Sequence, residues 1–198
     1  DGGASWAIVS TNIPATNELF VWNTTLQPSS GAAKWRVRYE AAAFTNIVST
    51  NVGFFSLRNT NLSFFVNDAS SAGDLFTSAL GLPGNIATSN SPREQLEGVL
   101  TNHTVSAGDT IYIDAGYYVV TNTISMNYRH RGAAGNPVRV VGAATNGAVG
   151  GPVLDRSNTL ANVISLSSAP HVTFQQLDVR NGSAGLGLTQ SEGVIIER

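Results

Sequence analysis

The stretch that decides the fold is residues 162–196, NVISLSSAPHVTFQQLDVRNGSAGLGLTQSEGVII. Apolar residues recur in it at a constant offset of twenty-two positions: Ile164 to Leu186, Leu166 to Leu188 and Val172 to Val194. The apolar runs are short and are separated by Gly, Asn, Ser or Pro, as strands joined by turns would be. A constant period places each strand over its counterpart one repeat later and stacks the inward side chains. The pattern therefore predicts repeated parallel strands rather than an open meander.

Runs of the same kind occur earlier in the chain, and each predicts a short strand. They lie at residues 63–66, 109–114, 117–120, 123–126, 138–142 and 153–155, and a further run, 177–179, lies inside the quoted stretch. One helix is predicted among them, near residues 92–101. Ser91 would be its N-cap, Pro92 would take the first helical position, and Glu94 would complete a capping box. Its apolar face would consist of three residues: Leu96, Val99 and Leu100.

Residues 63–198 resemble the beginning of the right-handed parallel β-helix family, also called the pectin-lyase-like fold. The resemblance rests on three runs: Phe65-Val66-Asn67-Asp68 before the helix, Gly108 to Ile113 followed by Gly116-Tyr117-Tyr118, and Val153-Leu154-Asp155-Arg156. It implies that the helix caps the first coil and hides its unpaired edge. Members of this family include polysaccharide lyases, polygalacturonases, phage tailspikes and non-catalytic adhesins, so the fold alone does not choose a function.

Residues 1–58 have a different pattern, and residues 59–62 are expected to link the two regions. Strands are predicted at 6–9, 18–22, 34–39 and 53–57. In the third of these, apolar and charged residues alternate, which indicates one buried and one wet face. The three Trp residues are expected in the core of this region, with sugar stacking as the alternative.

The order of aromatic runs in residues 1–58 resembles part of an immunoglobulin-like or fibronectin-type-III-like sandwich of bacterial secreted proteins. Four strands are fewer than the usual seven or so. The resemblance therefore implies that the remaining strands precede Asp1 or come from a partner. The fold class expected for the whole chain is all-β, a partial β-sandwich followed by the helix-capped first coils of a parallel β-helix.

The composition excludes several classes of function. Lys plus Arg number 11 against 13 Asp plus Glu, and only 12% of residues are charged, which excludes binding of nucleic acid by phosphate neutralisation. The absence of Cys excludes thiolate metal sites, disulfides and cysteine nucleophiles. The apolar runs are too short to insert in a membrane. Low charge, absent Cys and abundant Gly, Ser, Thr and Asn favour an extracellular or cell-surface location.

Few residues carry a signal of chemistry. Asp178 and Arg180 have the i, i+2 spacing that puts two side chains on one strand face, and Asp155-Arg156 is a second such candidate. Arg129 and Arg131 lie in the basic run 128–131. These six are candidates for glycan contact: Arg129, Arg131, Asp155, Arg156, Asp178 and Arg180. The simpler interpretation is that the two Asp/Arg pairs are ion pairs on surface strands and that the basic run is a solvated turn.

No cofactor is expected from a motif. Lyases of the family that the chain resembles need clustered acidic residues for Ca²⁺ and a nearby Lys or Arg base, and the sequence holds no such motif, so Ca²⁺ stays an open alternative. Three histidines, His103, His130 and His171, lack metal-ligand spacing. Residues 147–151 are Gly-rich but lack the Lys-Ser/Thr of a phosphate loop, so a nucleotide site is rejected.

The sequence favours a non-catalytic structural or adhesive segment of a bacterial surface or secreted protein. Its expected partners are other copies or further domains of the same protein. Because a strand run ends the sequence without a polar cap, we expect either further coils after Arg198 or end-to-end assembly. The alternatives are the N-terminal part of a polysaccharide lyase, with its active site beyond Arg198, and a glycan-binding module.

Overall fold

A computed structural model describes residues 2–14, 16–41, 44–144 and 150–198. Its contacts divide the chain into two units, Asp1–Thr60 and Asn61–Arg198. Strands predominate in the described residues, and their single α-helix is short. The predicted all-β class is therefore confirmed.

Fifteen strands and one α-helix are described. In chain order they are β1 (Ser30–Ala33), β2 (Arg36–Ala41), β3 (Phe44–Thr50), β4 (Phe55–Leu57), β5 (Ser63–Val66), α1 (Leu96–Asn102), β6 (Thr110–Ile113), β7 (Tyr117–Val119), β8 (Ile124–Met126), β9 (Val138–Gly142), β10 (Val153–Asn158), β11 (Ile164–Ser167), β12 (Val172–Gln175), β13 (Asp178–Gly182), β14 (Leu186–Thr189) and β15 (Ile195–Glu197). A 3₁₀ turn, Tyr128–His130, lies between β8 and β9.

The N-terminal unit contains two separate antiparallel pairs, β1 with β4 and β2 with β3. The predicted strands at 34–39 and 53–57 correspond in part to β2 and β4. The strands predicted at 6–9 and 18–22 are wrong, because those residues pair with no other strand. Their aromatic rings make side-chain contacts instead: Trp6 lies 4.3 Å from the Arg36 guanidinium, and Trp22 packs edge-on against Phe55.

The N-terminal unit has almost no buried core among its described residues, of which only Ala32 is buried. Trp35, Val37 and Tyr39 are all exposed, although the sequence predicts that their strand face is buried. Among the described strands β2 pairs with β3 alone, and exposed side chains lie on both of its faces, Val37 on one and Arg38 on the other. The expected core position of the Trp residues is likewise wrong for Trp6 and Trp35.

Three parallel sheets build the C-terminal unit. Their strand orders are β15-β12-β9-β6-β5, β13-β10-β7 and β14-β11-β8. From β6 onward, consecutive strands enter these sheets in rotation, so each strand lies beside the strand three places later in the chain. Three consecutive strands, one in each sheet, make one round of the chain. Ile164 pairs with Leu186 and Thr173 with Ile195, which confirms the predicted offset of twenty-two residues for the last round.

The core of the C-terminal unit lies between the sheets. Alternate strand residues point inward, so one face of every strand contributes to a single apolar cluster. Its fully buried members include Ile111, Ile113, Val138, Val140, Leu154, Ile164, Leu166 and Val172. Burying each such side chain stabilises the fold by about 1.5–3 kcal/mol.

The helix begins later than predicted. It starts at Leu96, follows Gln95 and has no side-chain cap, so the predicted capping box is wrong. The reason is that Arg93 lies extended beside β5, where its N–H donates to the Phe65 carbonyl and its own carbonyl accepts from Asn67 N–H. These backbone bonds to the edge of β5 replace the first helical turn. The apolar face is confirmed: Leu96, Val99 and Leu100 are buried, and α1 packs on β5 and β8.

Candidate functional site

The outer face of the sheet formed by β7, β10 and β13, here called the polar face, gathers three of the six candidate residues, Asp155, Asp178 and Arg180, on two of its strands. Parallel register aligns residues of the three strands in two outward rows: Tyr117, Val153 and Asp178 in the first, and Val119, Asp155 and Arg180 in the second. The row between them, with Tyr118 and Leu154, faces the core and is buried. Long-range pairing, and not closeness in sequence, therefore brings Asp155 near Asp178 and Arg180.

Asp155 is the centre of the polar face and is only 4% exposed. Ser157 donates to its Oδ1 through the backbone N–H and the hydroxyl, both at 2.8 Å. Asn181 Nδ2 donates to its Oδ2 at 2.8 Å, and the Tyr117 hydroxyl donates to the same oxygen. The Tyr117 hydrogen bond, reinforced by Ser157 and Asn181, lowers the pKa of Asp155 to about 2. The carboxylate is thus ionised and fully engaged at neutral pH.

Tyr117 is held by Asp155 and still presents its ring to solvent, with 54% of its surface exposed. The hydrogen bond to the Asp155 carboxylate raises the pKa of Tyr117 above its ordinary value of 10. An effective general acid or base has a pKa near the working pH. The pKa of Tyr117 is raised and that of Asp155 is lowered, so both pKa values move further from pH 7.

Asp178 and Arg180 form an exposed ion pair on β13. Arg180 Nε donates to Asp178 Oδ2 at 2.9 Å, and the guanidinium Nη2 contacts the same oxygen. Hydrogen bonding within the pair lowers the pKa of Asp178 and raises that of Arg180. The i, i+2 spacing thus gives two side chains that engage each other.

Arg156 points away from the polar face, because neighbouring residues of a strand alternate in direction. Its Nη1 donates to the Val120 carbonyl at 3.1 Å and to the Thr121 carbonyl at 2.7 Å. Arg156 therefore fastens β10 to the turn that follows β7.

Tyr128 and Arg129 lie in the 3₁₀ turn, Arg131 directly follows it, and all three are exposed. The turn is anchored by buried His130, whose Nδ1 accepts from Asn127 N–H at 3.1 Å. Nε2 must then carry the proton that it donates to the Leu100 carbonyl of α1, 3.0 Å away. Burial lowers the pKa of His130 and favours this neutral form. Among the described residues, no hydrogen bond or ion pair joins either arginine to the polar face.

Three residues of the polar face are not among those predicted from the sequence: Tyr117, Ser157 and Asn181. Ser157 and Asn181 both have a left-handed backbone, with φ of 48° and 56°. The Asn-Gly dipeptide at 181–182 is the one signal that could have indicated such a bend. Nothing local in the sequence links Tyr117 to Asp155.

A second carboxylate, Asp114, is fully buried at the end of β6. It accepts hydrogen bonds from three consecutive backbone amides, those of Leu75, Phe76 and Thr77. These bonds fasten the segment between β5 and α1 to the five-stranded sheet that contains β6. The Asp114 carboxylate is therefore engaged by hydrogen bonds within the protein.

Within the described part of the chain, no group of three His, Asp or Glu residues is placed to hold a metal ion. No helix in that part is long and apolar enough to cross a bilayer. Most of the Gly-rich run at 147–151, rejected above as a nucleotide site, lies outside the described residues. Comparisons with protein-family models, with curated proteins and with solved structures find no match.

Proposed function

We propose that this chain is a non-catalytic structural or adhesive segment of a bacterial cell-surface or secreted protein, built around the start of a right-handed parallel β-helix. The rotation of strands through three parallel sheets supports the β-helix proposal. So does the cover on the outer edge of β5, where Arg93 pairs with the strand and α1 packs beside it. A covered first strand is what a repeat architecture needs at its terminus.

The observation that carries the non-catalytic role is the hydrogen bonding of Asp155. Its two oxygens accept four hydrogen bonds from Tyr117, Ser157 and Asn181, so no acceptor position is left for a substrate proton or a cation. The neighbouring residues Asp178 and Arg180 pair with each other through Asp178 Oδ2. The polar groups of this face therefore hold one another in place.

A depolymerisation assay tests the non-catalytic role. The chain is incubated with polygalacturonate and with alginate, each with and without Ca²⁺, and new chain ends are measured over time. We expect no product above the level of a heat-denatured sample. Product release that Asp155→Asn abolishes would overturn the proposal and identify the polar face as an active site. Product release that this variant leaves unchanged would overturn it as well and point to another face.

Glycan binding is the second candidate, favoured by the presentation of the 3₁₀ turn. Tyr128, Arg129 and Arg131 are exposed at a turn that His130 fixes to α1. One aromatic ring and two cationic groups are therefore accessible to a glycan at a fixed position. Low charge and absent Cys support an extracellular setting in which polysaccharide is available.

The glycan-binding candidate is tested by affinity electrophoresis in gels that contain polygalacturonate or neutral dextran. We expect the chain to be retarded in the polygalacturonate gel and not in the dextran gel. Arg129→Ala combined with Arg131→Ala should abolish that retardation, whereas the matched pair Arg36→Ala and Arg58→Ala in the N-terminal unit should keep it. Equal retardation of both double variants would remove the turn as the binding site.

A further inference from the structure

Four stretches of this chain match Asn-x-Ser/Thr, the acceptor sequence for N-linked sugars. They begin at Asn23, Asn61, Asn102 and Asn181. The sequence does not rank them, because a chain so rich in Asn, Ser and Thr contains several by chance. The sugar is joined to the side-chain nitrogen Nδ2, so the surroundings of that atom in the folded chain distinguish the four sites.

At three of the four sites, Nδ2 is engaged by the protein itself. Asn181 Nδ2 donates a hydrogen bond to the central carboxylate of the polar face at 2.8 Å. Asn102 Nδ2 donates to the carbonyl of Gly98 in α1 at 2.8 Å. At Asn61, a Cβ added to Gly108 would lie 2.5 Å from Nδ2, so this nitrogen packs closely on the Gly108 backbone. Each of these nitrogens must lose a contact before it can react.

Asn23 has the opposite arrangement. Its side chain is exposed, and its Nδ2 donates to none of the described residues. Its Oδ1 is held instead: the Thr25 N–H donates to it at 3.1 Å and the Thr25 hydroxyl at 2.8 Å. This is an Asx turn, in which the Asn side chain bonds the backbone two residues later. The hydroxyl that the acceptor sequence requires therefore already contacts the acceptor amide.

Further hydrogen bonds hold the turn that contains this acceptor sequence. The Thr24 carbonyl accepts from Gln27 N–H at 2.9 Å and from Asn59 Nδ2 at 2.6 Å. Asn59 Nδ2 also donates to the Gln27 carbonyl at 2.7 Å. The orientation of the Asn23 amide is thus set before an enzyme binds, and less conformational entropy is lost when the amide enters a transferase site.

We propose that Asn23 is an acceptor site for N-glycosylation, and that its sugar donor is a glycosyl pyrophosphate esterified to a nucleoside or to a lipid. Nδ2 attacks the anomeric carbon of the sugar, a C–N bond forms, and the C–O bond to the pyrophosphate breaks. The substituted pyrophosphate leaves with the bonding electrons, and one Nδ2 proton passes to a base of the transferase. The two hydrogen bonds to Oδ1 stabilise the negative charge that this oxygen gains as the proton leaves. The modification goes beyond the proposed structural or adhesive role and does not depend on it.

Transfer of sugar to the folded full chain tests this site. One sample contains a soluble N-glycosyltransferase specific for Asn-x-Ser/Thr with UDP-glucose, and the other a solubilised oligosaccharyltransferase with a lipid-pyrophosphate oligosaccharide. Mass spectrometry follows the modification of each Asn. Each rate is divided by the rate for a synthetic peptide of the same local sequence, which removes the sequence preference of the enzyme. We expect the normalised rate at Asn23 to exceed those at Asn61, Asn102 and Asn181 by about tenfold or more, because only those three must lose a contact first.

Two variants show whether the Thr25 hydroxyl matters. Thr25→Ala removes its hydrogen bond to Asn23 Oδ1 and should slow transfer by about tenfold or more. Thr24→Ala is the matched control, because it keeps that bond and the backbone bonds of the turn, and it should be modified at the unaltered rate.

The donor that supports transfer to Asn23 identifies the source of the sugar. Absence of transfer to Asn23 from both donors, similar normalised rates at all four sites, or equal slowing in Thr25→Ala and Thr24→Ala would each overturn the proposal.

Discussion

The two units of this chain use apolar residues in opposite ways. The N-terminal unit exposes most of its large apolar side chains, including Trp35 and Leu19, whereas the C-terminal unit buries a continuous cluster. Both units consist of short strands. The difference lies in pairing: the N-terminal strands meet in isolated antiparallel pairs, while the C-terminal strands return to the same three sheets. Apolar composition alone therefore does not make a core; the repeated return of the chain does.

Repeated bends accompany this return. Ser168 and His171 have left-handed backbones, and so do Gln190 and Gly193, their counterparts one round later. Hydrogen bonds link the two rounds at this turn, from Ser168 Oγ to Gln190 and from Ala169 N–H to Ser191. Because the same bend recurs at the same place, the strands on either side stay in register.

The largest effect that would test this contrast is truncation of a leucine in each unit. Leu166→Ala should lower the free energy of unfolding by about 2–5 kcal/mol, because it leaves a cavity in a packed core. Leu19→Ala, at a side chain that is 78% exposed, should change it by less than about 0.5 kcal/mol. Urea denaturation followed by far-ultraviolet circular dichroism measures both. Similar losses would mean that the N-terminal unit has a core in solution.

The stacking of parallel strands in the C-terminal unit could be predicted because its constraint is visible in the sequence. Stacked parallel strands force apolar residues to the same inward position of each round, as at Ile164 and Leu186. In the N-terminal unit, by contrast, the aromatic runs at Trp6 and Trp22 look like strands but form none. A run predicts a strand only when a partner is present to pair with it, and nothing local in the sequence indicates that partner.

The candidate site was predictable only where its residues are sequence neighbours. Asp178 and Arg180 share a face because strand side chains alternate, which the sequence alone predicts. The bond from Tyr117 to Asp155 spans 38 residues, and its existence depends on the register of β7 with β10. A shift of one residue in that register would turn Tyr117 toward the core, so the site could not be built before the pairing was known.

A smaller effect is expected from adding one methyl group in each unit. A Cβ at Gly142 would lie 2.1 Å from the backbone carbonyl oxygen of Gln176, one round later in the C-terminal unit. Gly142→Ala should therefore cost about 1–3 kcal/mol in strain. A Cβ at Gly53 meets nothing within 4 Å, so Gly53→Ala should stabilise the chain by about 0.4–1 kcal/mol through the unfolded state. Thermal unfolding distinguishes the two signs, and a destabilising Gly53→Ala would show that this surface is covered.

A further effect depends on acid and concerns Asp155 of the C-terminal unit. The pKa of Asp155 in the folded chain, about 2, lies below the ordinary value of 3.8, so the unfolded chain takes up the proton first as pH falls. The contribution of Asp155 to stability is therefore complete above about pH 4 and is lost as pH falls toward 2. Asp155→Asn should melt below the unaltered chain at neutral pH, and the gap should close across this window. Asp178→Asn, which breaks an exposed pair, should give a smaller gap. A gap for Asp155→Asn that stays constant down to pH 2 would show that its carboxylate gains nothing from Tyr117, Ser157 and Asn181, and the polar face would then lose its role in holding the strands in register.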